Sequence, residues 1–332
     1  MSQEVSFVYP KKGPGRPQIL LIGNGLEYKS GQRSWEQLVC DLTLPEKRGM
    51  HEAESLPFPL RYELLSTPSD APIPMEYKDI LQEEKRLADA MKTMVHKSNP
   101  LLEKLPELQM DHIFTTNYSY CLEQVFFPNR NFGRGKIRSK FRFDLRDKES
   151  KALRAREIEY RLHTGYYFPA GPNTPQGTGL WHIHGESSVP RGIILGHDRY
   201  GRLLARIVQS CQSMGKRTAK KAVKKDGEKL TFRSWPSLFL FGDVYILGFG
   251  FDICEFDLWW LLRRKQRESN GDGKVHFYDK PPFDEPEMTR NSLLRANGVE
   301  IRTAGATEET DYDTFYAAAM RDIRQTVEQR RR

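Results

Sequence analysis

Short runs of consecutive apolar residues recur along the chain and alternate with segments of helical periodicity. The clearest run covers residues 19–22, where four apolar residues in a row are typical of a strand buried on both faces of a parallel sheet. The pattern predicts further strands at 112–116, 180–184, 192–195, 243–247, 274–278 and 299–302. It predicts helices at 34–39 (with Ser34 as N-cap), 76–98, 120–127 and 311–332. Because strands alternate with helices, we expect an α/β fold built on a doubly wound, mainly parallel sheet.

Two segments depart from this alternation. Residues 43–75 are rich in proline and irregular, and residues 128–180 form a polar insertion that is too long for an ordinary connection. We expect segment 43–98 and insertion 128–180 to form a smaller helical lobe that covers a pocket at the sheet. The chain then divides into a sheet domain at 18–310, which carries both segments, and a C-terminal helix at 311–332.

The composition is typical of a globular protein with generous polar loops, since 38% of the 332 residues are hydrophobic and 29% are charged. No run of about 18 apolar residues occurs, and the N-terminus lacks an apolar stretch followed by a cleavage site. We therefore expect a cytoplasmic protein that does not enter a membrane. The four cysteines are scattered without a Cys-x-x-Cys pair, which argues against a structural zinc site and favours a reducing compartment.

The net charge of +8 is concentrated in two segments. Residues 130–143 mix cations with aromatic residues, and residues 216–229 contain seven Lys or Arg against two acids. Such segments favour contact with an anionic partner, and contact with nucleic acid would be independent of base sequence. A solvated loop or a docking surface for an acidic protein explains the same charges.

Polar residues able to take part in chemistry follow three of the predicted strands. A Gly23-Asn24-Gly25 turn follows the first strand, Asn117 follows the second and His184 ends the third. Ligands bind outside the carboxyl ends of the strands in an open α/β sheet, so the three ends outline a nucleotide pocket in a Rossmann-like fold. Glycines in the turn would let the backbone approach a pyrophosphate. A dinucleotide-binding loop has a third glycine where this chain has Tyr28, and a plain strand-to-loop turn explains the glycine pair equally well.

Simpler structural roles remain open for these residues. Asn117 could be a helix N-cap, and a histidine at a strand end, such as His184, is often a satisfied structural residue. His182 and His184 are two residues apart, as zinc ligands on one strand face can be, but no Cys, His or Asp cluster lies nearby in the sequence. His197 and Asp198 follow a predicted strand and belong either to the pocket or to a surface loop.

Five motifs occur in an order that is more specific than any one of them. They are the Gly23-Asn24-Gly25 turn with Trp35 after it, Thr115-Thr116-Asn117-Tyr118, His184-Gly185, residues 194–200, and residues 246–251 with Asp257 and Leu258 downstream. In this order the chain resembles, over residues 18–310, the sirtuin-like domain that serves as an NAD-consuming effector in bacterial anti-phage defence.

The resemblance implies a role for each motif. It implies that Asn117 positions the nicotinamide ribose and the attacking water, and that His184 is the catalytic histidine at the ribose. The NAD-binding residues that it implies are Gly23, Asn24 and Gly25 in the phosphate loop, Thr115 beside Asn117, and Gly248 and Phe249 near the adenosine half. NAD is then the substrate, and no metal takes part.

The chain departs from the sirtuin pattern at three places. It has no two cysteine pairs for a zinc module, and residues 27–32 read Glu-Tyr-Lys-Ser-Gly-Gln where protein-deacylating sirtuins carry a Gly-Ile-Pro-Asp-Phe-Arg-like stretch. Protein deacylase activity is therefore not expected. In the defence proteins, an aspartate that helps to hold the nicotinamide end usually follows the Asn-Tyr pair. This chain has Ser119 there, which implies less efficient cleavage.

These residue types suit cleavage of the nicotinamide–ribose bond. The pyridinium charge already activates this glycosidic bond, and the transition state should resemble an oxocarbenium ion, so the site needs no strong acid. A histidine supplies a base with a pKa near neutrality, and an asparagine fixes a hydroxyl or a water because it donates and accepts at once. We therefore expect an NAD glycohydrolase (NADase) that releases nicotinamide and ADP-ribose.

An unrestrained NAD hydrolase would be toxic to its own cell, so we expect its activity to be gated. The gate would be a regulatory partner protein encoded nearby or the formation of a homo-oligomer, and the resemblance implies a role in abortive infection. Two alternatives stay open. The chain could be a non-catalytic subunit that binds NAD or ADP-ribose as a signal, or a basic nucleic-acid-associated subunit of a larger complex.

Overall fold

The computed structural model describes residues 7–10, 15–32, 34–69, 77–127, 142–144, 162–170, 177–221, 229–268 and 273–331. The strands in these ranges form a two-stranded ribbon, in which β1 pairs with β7, and an eight-stranded sheet. Their bounds are β1 Phe7–Pro10, β2 Gln18–Ile22, β3 His112–Thr115, β4 Arg142–Asp144, β5 Thr164–Phe168, β6 Thr178–His182, β7 Lys229–Phe232, β8 Asp243–Leu247, β9 Val275–Tyr278 and β10 Val299–Arg302.

The large sheet has the strand order β10-β9-β8-β2-β3-β6-β5-β4. The six strands from β10 to β6 are parallel, and β5 and β4 are added at one edge in antiparallel pairs. From β2 the chain moves outward through β3 to β6, and it later returns to place β8, β9 and β10 on the other side. The direction of winding therefore reverses between β2 and β8, where ligands bind in doubly wound sheets. The predicted doubly wound, mainly parallel α/β sheet is confirmed.

Helices pack on both faces of this sheet. Their bounds are α1 Asn24–Glu27, α2 Trp35–Leu42, α3 Phe58–Ser66, α4 Tyr77–Lys92, α5 Cys121–Phe126, α6 His197–Lys221, α7 Trp235–Phe241, α8 Phe256–Glu268, α9 Glu285–Ala296 and α10 Tyr312–Arg331. Strand β2 lies between the two main apolar clusters. Ile19 and Leu21 pack in a cluster with residues of α6, α7 and α8, whereas Leu20 and Ile22 pack in a cluster with residues of α5 and α10. This double burial explains why the strand is apolar at consecutive positions.

A smaller helical layer of α2, α3 and α4 has its own apolar cluster. Helix α2 begins as predicted, because Ser34 and Gln37 form a reciprocal capping box. Helix α4 lies within the predicted segment 76–98, whereas α3 lies in a stretch that was expected to be irregular. The described part of the 128–180 insertion contributes β4, β5 and the start of β6, so the expectation of a helical insertion is wrong for these residues. Most of the rest of that insertion, and the side chains of the two basic segments, lie outside the described residues.

One predicted strand is wrong. Residues 193–195 follow a single 3-10 turn, Pro190–Gly192, and form no strand. Their apolar pattern has a different cause, because Ile193 and Leu195 are buried in the cluster of the small helical layer. Among the described helices, none is both long and apolar enough to cross a membrane.

Candidate functional site

A cavity of about 420 Å³ opens at the carboxyl ends of β2, β8 and β9. Its wall includes Asn24 and Gly25 from the turn after β2, and Gly248 and Phe249 from the loop after β8. The cavity therefore lies at the point where the winding of the sheet reverses. All four of these residues were predicted to bind NAD.

The glycines of the β2 turn are required by the contact between two loops. The Gly25 amide donates to the Gly248 carbonyl at 2.8 Å. A Cβ atom at Gly23 would lie 2.6 Å from that same carbonyl oxygen, and one at Gly25 would lie 2.6 Å from the Tyr316 hydroxyl. The Gly25 amide is therefore already bound within the protein. The glycine pair is explained by close packing, while the turn still forms part of the cavity wall.

Asn117 lies just past the end of β3 and is only 5% exposed. Its side-chain Nδ2 donates to the Gly23 carbonyl at 3.1 Å, and its backbone amide donates to the Thr115 hydroxyl at 3.0 Å. Asn117 is not a helix N-cap, since α5 begins four residues later with Tyr120 at its N-cap. The side chain instead ties the end of β3 to the glycine turn. Thr115 is fully buried, and its hydroxyl oxygen holds the backbone amide of Asn117.

Glu27 brings a carboxyl group to the end of β3. The Ser119 hydroxyl donates to Glu27 Oε2, and the Asn117 side chain also hydrogen-bonds to this carboxyl. Glu27 is fully buried. Burial raises its pKa to about 7, against the lowering effect of the hydrogen bonds from Ser119 and Asn117. Although position 119 lacks the expected aspartate, a carboxyl group supplied from position 27 therefore lies beside it.

His182 fixes the backbone of Asn117. Its Nδ1 donates to the Asn117 carbonyl at 2.8 Å, and its Nε2 lies 2.8 Å from Glu123 Oε1. Burial lowers the pKa of His182, but the charge of Glu123 and the hydrogen bonds more than offset this, so the net pKa is raised. The charged form, in which both nitrogens donate, is therefore more favoured than in a free imidazole.

His184 is paired with a different carboxylate. Its Nε2 lies 3.0 Å from Asp257 Oδ2 and 3.7 Å from Glu255 Oε2, and its ring makes an edge contact with Tyr200 at 5.4 Å between centroids. Burial lowers the pKa of His184, but the charges of Asp257 and Glu255 raise it more, so the net pKa is raised. Because Nε2 is directed at Asp257, Nδ1 is the ring nitrogen left to accept a proton.

The two histidines do not form the ligand pair that their spacing allowed. The strand ends at His182, and the two side chains contact different acids, Glu123 and Asp257. His184, Glu255 and Asp257 do bring donor atoms within 4.8 Å of one another, and these are residue types that bind divalent cations. Experiments on this cluster therefore have to test whether it binds a divalent cation.

Asn117 and His184 emerge from neighbouring strands at the same edge of the sheet. Thr115 of β3 pairs with His182 of β6, so each candidate residue lies two positions beyond the paired residues. Neither is among the residues that line the cavity. His184 is one contact away from it through Glu255 and Tyr200, and Asn117 is one contact away through the Gly23 turn. His197 and Asp198 are exposed at the start of α6 and do not line the cavity.

The sequence did not reveal the contacts that four acidic residues make with Ser119, His182 and His184. The four acids are Glu27, Glu123, Glu255 and Asp257. Each lies far along the chain from its partner, so periodicity carries no signal for the contact. Asp257 was noted only as part of a downstream pattern, and no feature of the sequence linked it to His184.

A SIR2-like domain model matches residues 111–301 of this chain. The chain belongs to the SIR2-like family. The match covers Asn117, His184, the loop after β8 and Glu255, whereas the glycine turn after β2 precedes it. SIR2-like domains bind NAD, and this family is compatible with an NAD-related activity. A search of curated proteins found no match.

Proposed function

We propose that this SIR2-like chain is an NAD glycohydrolase that cleaves the nicotinamide–ribose bond. The observation that carries the proposal is the buried His184–Asp257 pair, which lies at the end of the strand next to Asn117. A histidine held by a carboxylate has a fixed orientation and a raised pKa, which suits a general base. The nucleotide cavity lies one contact away from both residues.

The reaction needs one water molecule and no external oxidant or reductant. The water oxygen forms a bond to C1′ of the nicotinamide ribose while the C1′–N bond breaks. The bonding electron pair returns to the pyridinium nitrogen, which leaves as neutral nicotinamide. The proton of the water passes to Nδ1 of His184, and Asp257 stabilises the imidazolium that forms.

Asn117 would orient the ribose or the water. One Nδ2 hydrogen is bound to the Gly23 carbonyl, and the contact with Glu27 uses the same amide group. The oxygen Oδ1 then remains to accept a hydrogen bond from a ribose hydroxyl or from the attacking water. The hydrogen bond to the Gly23 carbonyl restrains the orientation of the amide before substrate binds.

We propose a direction for the dinucleotide on the basis of the residues around the cavity. Tyr200 and Glu255, which contact His184, would lie at the nicotinamide riboside. Asp279, at the end of β9, lines the cavity and is held by Arg290 and Asn291. This second group would face the adenosine half.

The biological role that we propose is gated NAD depletion in the cytoplasm during anti-phage defence. A regulatory partner protein encoded nearby, or assembly into a homo-oligomer, would provide the gate. The support is the family together with the ordered motifs, and protein deacylation is not part of the proposal. Non-specific contact of the basic segments with nucleic acid would be a secondary property.

One observation favours a second candidate function. His184 is 1% exposed and does not line the cavity, which is compatible with a subunit that binds NAD or ADP-ribose without cleaving it. The two functions make different predictions for turnover. Tight binding of NAD with no nicotinamide release, in the presence of every candidate activator, would favour the binding subunit.

The test measures nicotinamide released from NAD by the purified full-length chain, alone and with candidate activators. We expect His184→Ala and Asn117→Ala each to reduce the release strongly. His197→Ala is the matched control, because this histidine is exposed and does not line the cavity, and it should keep full activity. Release that is unchanged in both site variants would refute the assignment, and an acetylated peptide in parallel reactions tests for deacylation.

A further inference from the structure

Glu255 is the acidic group that connects the His184 cluster with the cavity. It lies just before α8, lines the cavity wall, and has a side chain that is 12% exposed. Its Oε2 lies 3.7 Å from His184 Nε2 and accepts a hydrogen bond of 3.2 Å from the Tyr200 hydroxyl. Asp257 binds the same imidazole but is fully buried. Of the two carboxylates around His184, only Glu255 can therefore touch a ligand.

The charge of Glu255 depends on groups from several elements. His184 follows β6, Tyr200 lies on α6, Tyr118 follows β3, and Asp252, Cys254 and Asp257 flank Glu255 along the chain. Burial raises the pKa of Glu255 to about 7, and the charge of Asp257 acts in the same direction, while His184 and the Tyr200 hydrogen bond lower it. The carboxyl group therefore keeps its proton to a higher pH than a free glutamate does.

We propose that the Glu255 carboxylate contacts the positively charged nicotinamide riboside of NAD and stabilises that charge. The inference rests on the proposed function, since it assigns a role to one carboxylate at the nicotinamide end of the ligand. Free NAD carries its positive charge on the pyridinium ring, and during cleavage the charge moves to the ribose as an oxocarbenium ion. A carboxylate fixed in a partly buried wall interacts favourably with both. Glu255 transfers no proton in this step, because His184 takes the proton of the water.

The charge of the ligand provides a test that does not require turnover. A carbocyclic NAD analogue, which lacks the cleavable N-glycosidic bond, is titrated into the full-length protein in its oxidised and reduced forms. The two forms differ at the nicotinamide ring, which is cationic in one and neutral in the other. We expect the wild-type protein to bind the oxidised form at least tenfold more tightly at pH 8, and this preference should shrink towards pH 6. Glu255→Gln should bind both forms with similar affinity at all pH values.

Glu268→Gln is the matched control. It changes the same residue type at the far end of α8, where Glu268 is half-exposed and paired with Arg264, and it should keep the wild-type preference. Tyr200→Phe provides a second variant in case Glu255→Gln does not fold. Loss of its hydroxyl removes a hydrogen bond that lowers the pKa of Glu255, so the preference should appear at a higher pH than in wild type.

The outcomes separate this inference from the proposed function. An unchanged preference in Glu255→Gln would overturn the inference, even if NAD is hydrolysed. A preference that depends on Glu255 in a protein without turnover would support the inference and refute only the hydrolase. Absence of binding by either form would refute both. If EDTA abolished binding and Mg²⁺ or Mn²⁺ restored it, His184, Glu255 and Asp257 would be metal ligands, which would also overturn the inference.

Discussion

Replacing Asp257 with asparagine should reveal what the His184–Asp257 pair contributes to catalysis. The substitution keeps the size of the side chain but removes the charge that holds His184 Nε2 at 3.0 Å. A hydrogen bond to a charged group contributes about 1.5–3 kcal/mol. If all of this contribution is realised in the transition state, kcat for nicotinamide release should fall about 10- to 150-fold.

The pH dependence should change in a defined direction. His184 acts as a base only when its imidazole is neutral, so the rate should fall as the pH drops through its pKa. The charges of Asp257 and Glu255 raise that pKa against the effect of burial. Asp257→Asn removes one of these charges and should therefore move the acid limb of the profile to lower pH while its plateau falls.

A double-mutant cycle checks that the loss acts through His184. Nicotinamide release is measured from pH 5 to 9 for wild type, Asp257→Asn, His184→Ala and the double variant. In the His184→Ala background, Asp257→Asn should cost almost nothing further. Asp198→Asn is the control, because Asp198 is exposed and paired with Arg202. An equal loss in both backgrounds, or an acid limb that does not move, would refute this role for Asp257.

Three further predictions concern stability and substrate choice. Because burial raises the pKa of Glu27 from 4.5 to about 7, the folded state holds this proton more tightly than the unfolded chain, and stability falls as the pH rises through that window. Between pH 4.5 and 7, the free energy of unfolding in urea should fall by about 3 kcal/mol more for wild type than for Glu27→Gln. Parallel plots of this free energy against pH for the two proteins would contradict the raised pKa. Gly25→Ala should lower stability by about 1–3 kcal/mol in the same assay, because a Cβ atom at this position has no space. Gly201→Ala is the control at an open helical position and should raise stability by about 0.5–1 kcal/mol. An equal effect of the two changes would argue against close packing of the loops at Gly25. NADP should bind about tenfold more weakly than NAD, because its 2′-phosphate would approach the Asp279 carboxylate. Asp279→Asn should reduce this difference in affinity, as measured by calorimetric titration. An unchanged ratio of the two Kd values would place the phosphate elsewhere.

The sequence predicted the sheet well where burial alone determines the residue pattern. The strand at 243–247 was predicted with its observed bounds, because a central parallel strand must be apolar on both faces. Residues 193–195 carry a similar apolar pattern, but Ile193 and Leu195 pack against the small helical layer, and short apolar runs do not distinguish these two environments. The antiparallel strands β4 and β5 lie in a polar insertion, where no periodicity marked them.

The site was predictable only in part. The ends of parallel strands meet at one edge of a sheet, so the common location of the Asn117 and His184 segments followed from chain order and fold class. The acids that control these residues were not predictable. Glu27 approaches Ser119 from a different strand end, and Asp257 approaches His184 from the first turn of α8, so both contacts depend on how loops and helices pack.

The most direct test of the site is a crystal structure of the full-length protein with the carbocyclic NAD analogue bound. We predict that C1′ of the nicotinamide riboside lies between the Asn117 amide and the His184 imidazole, with the adenosine directed towards Asp279. A structure with the adenosine at the His184 end, or with Asn117 and His184 facing separate cavities, would contradict the assignment.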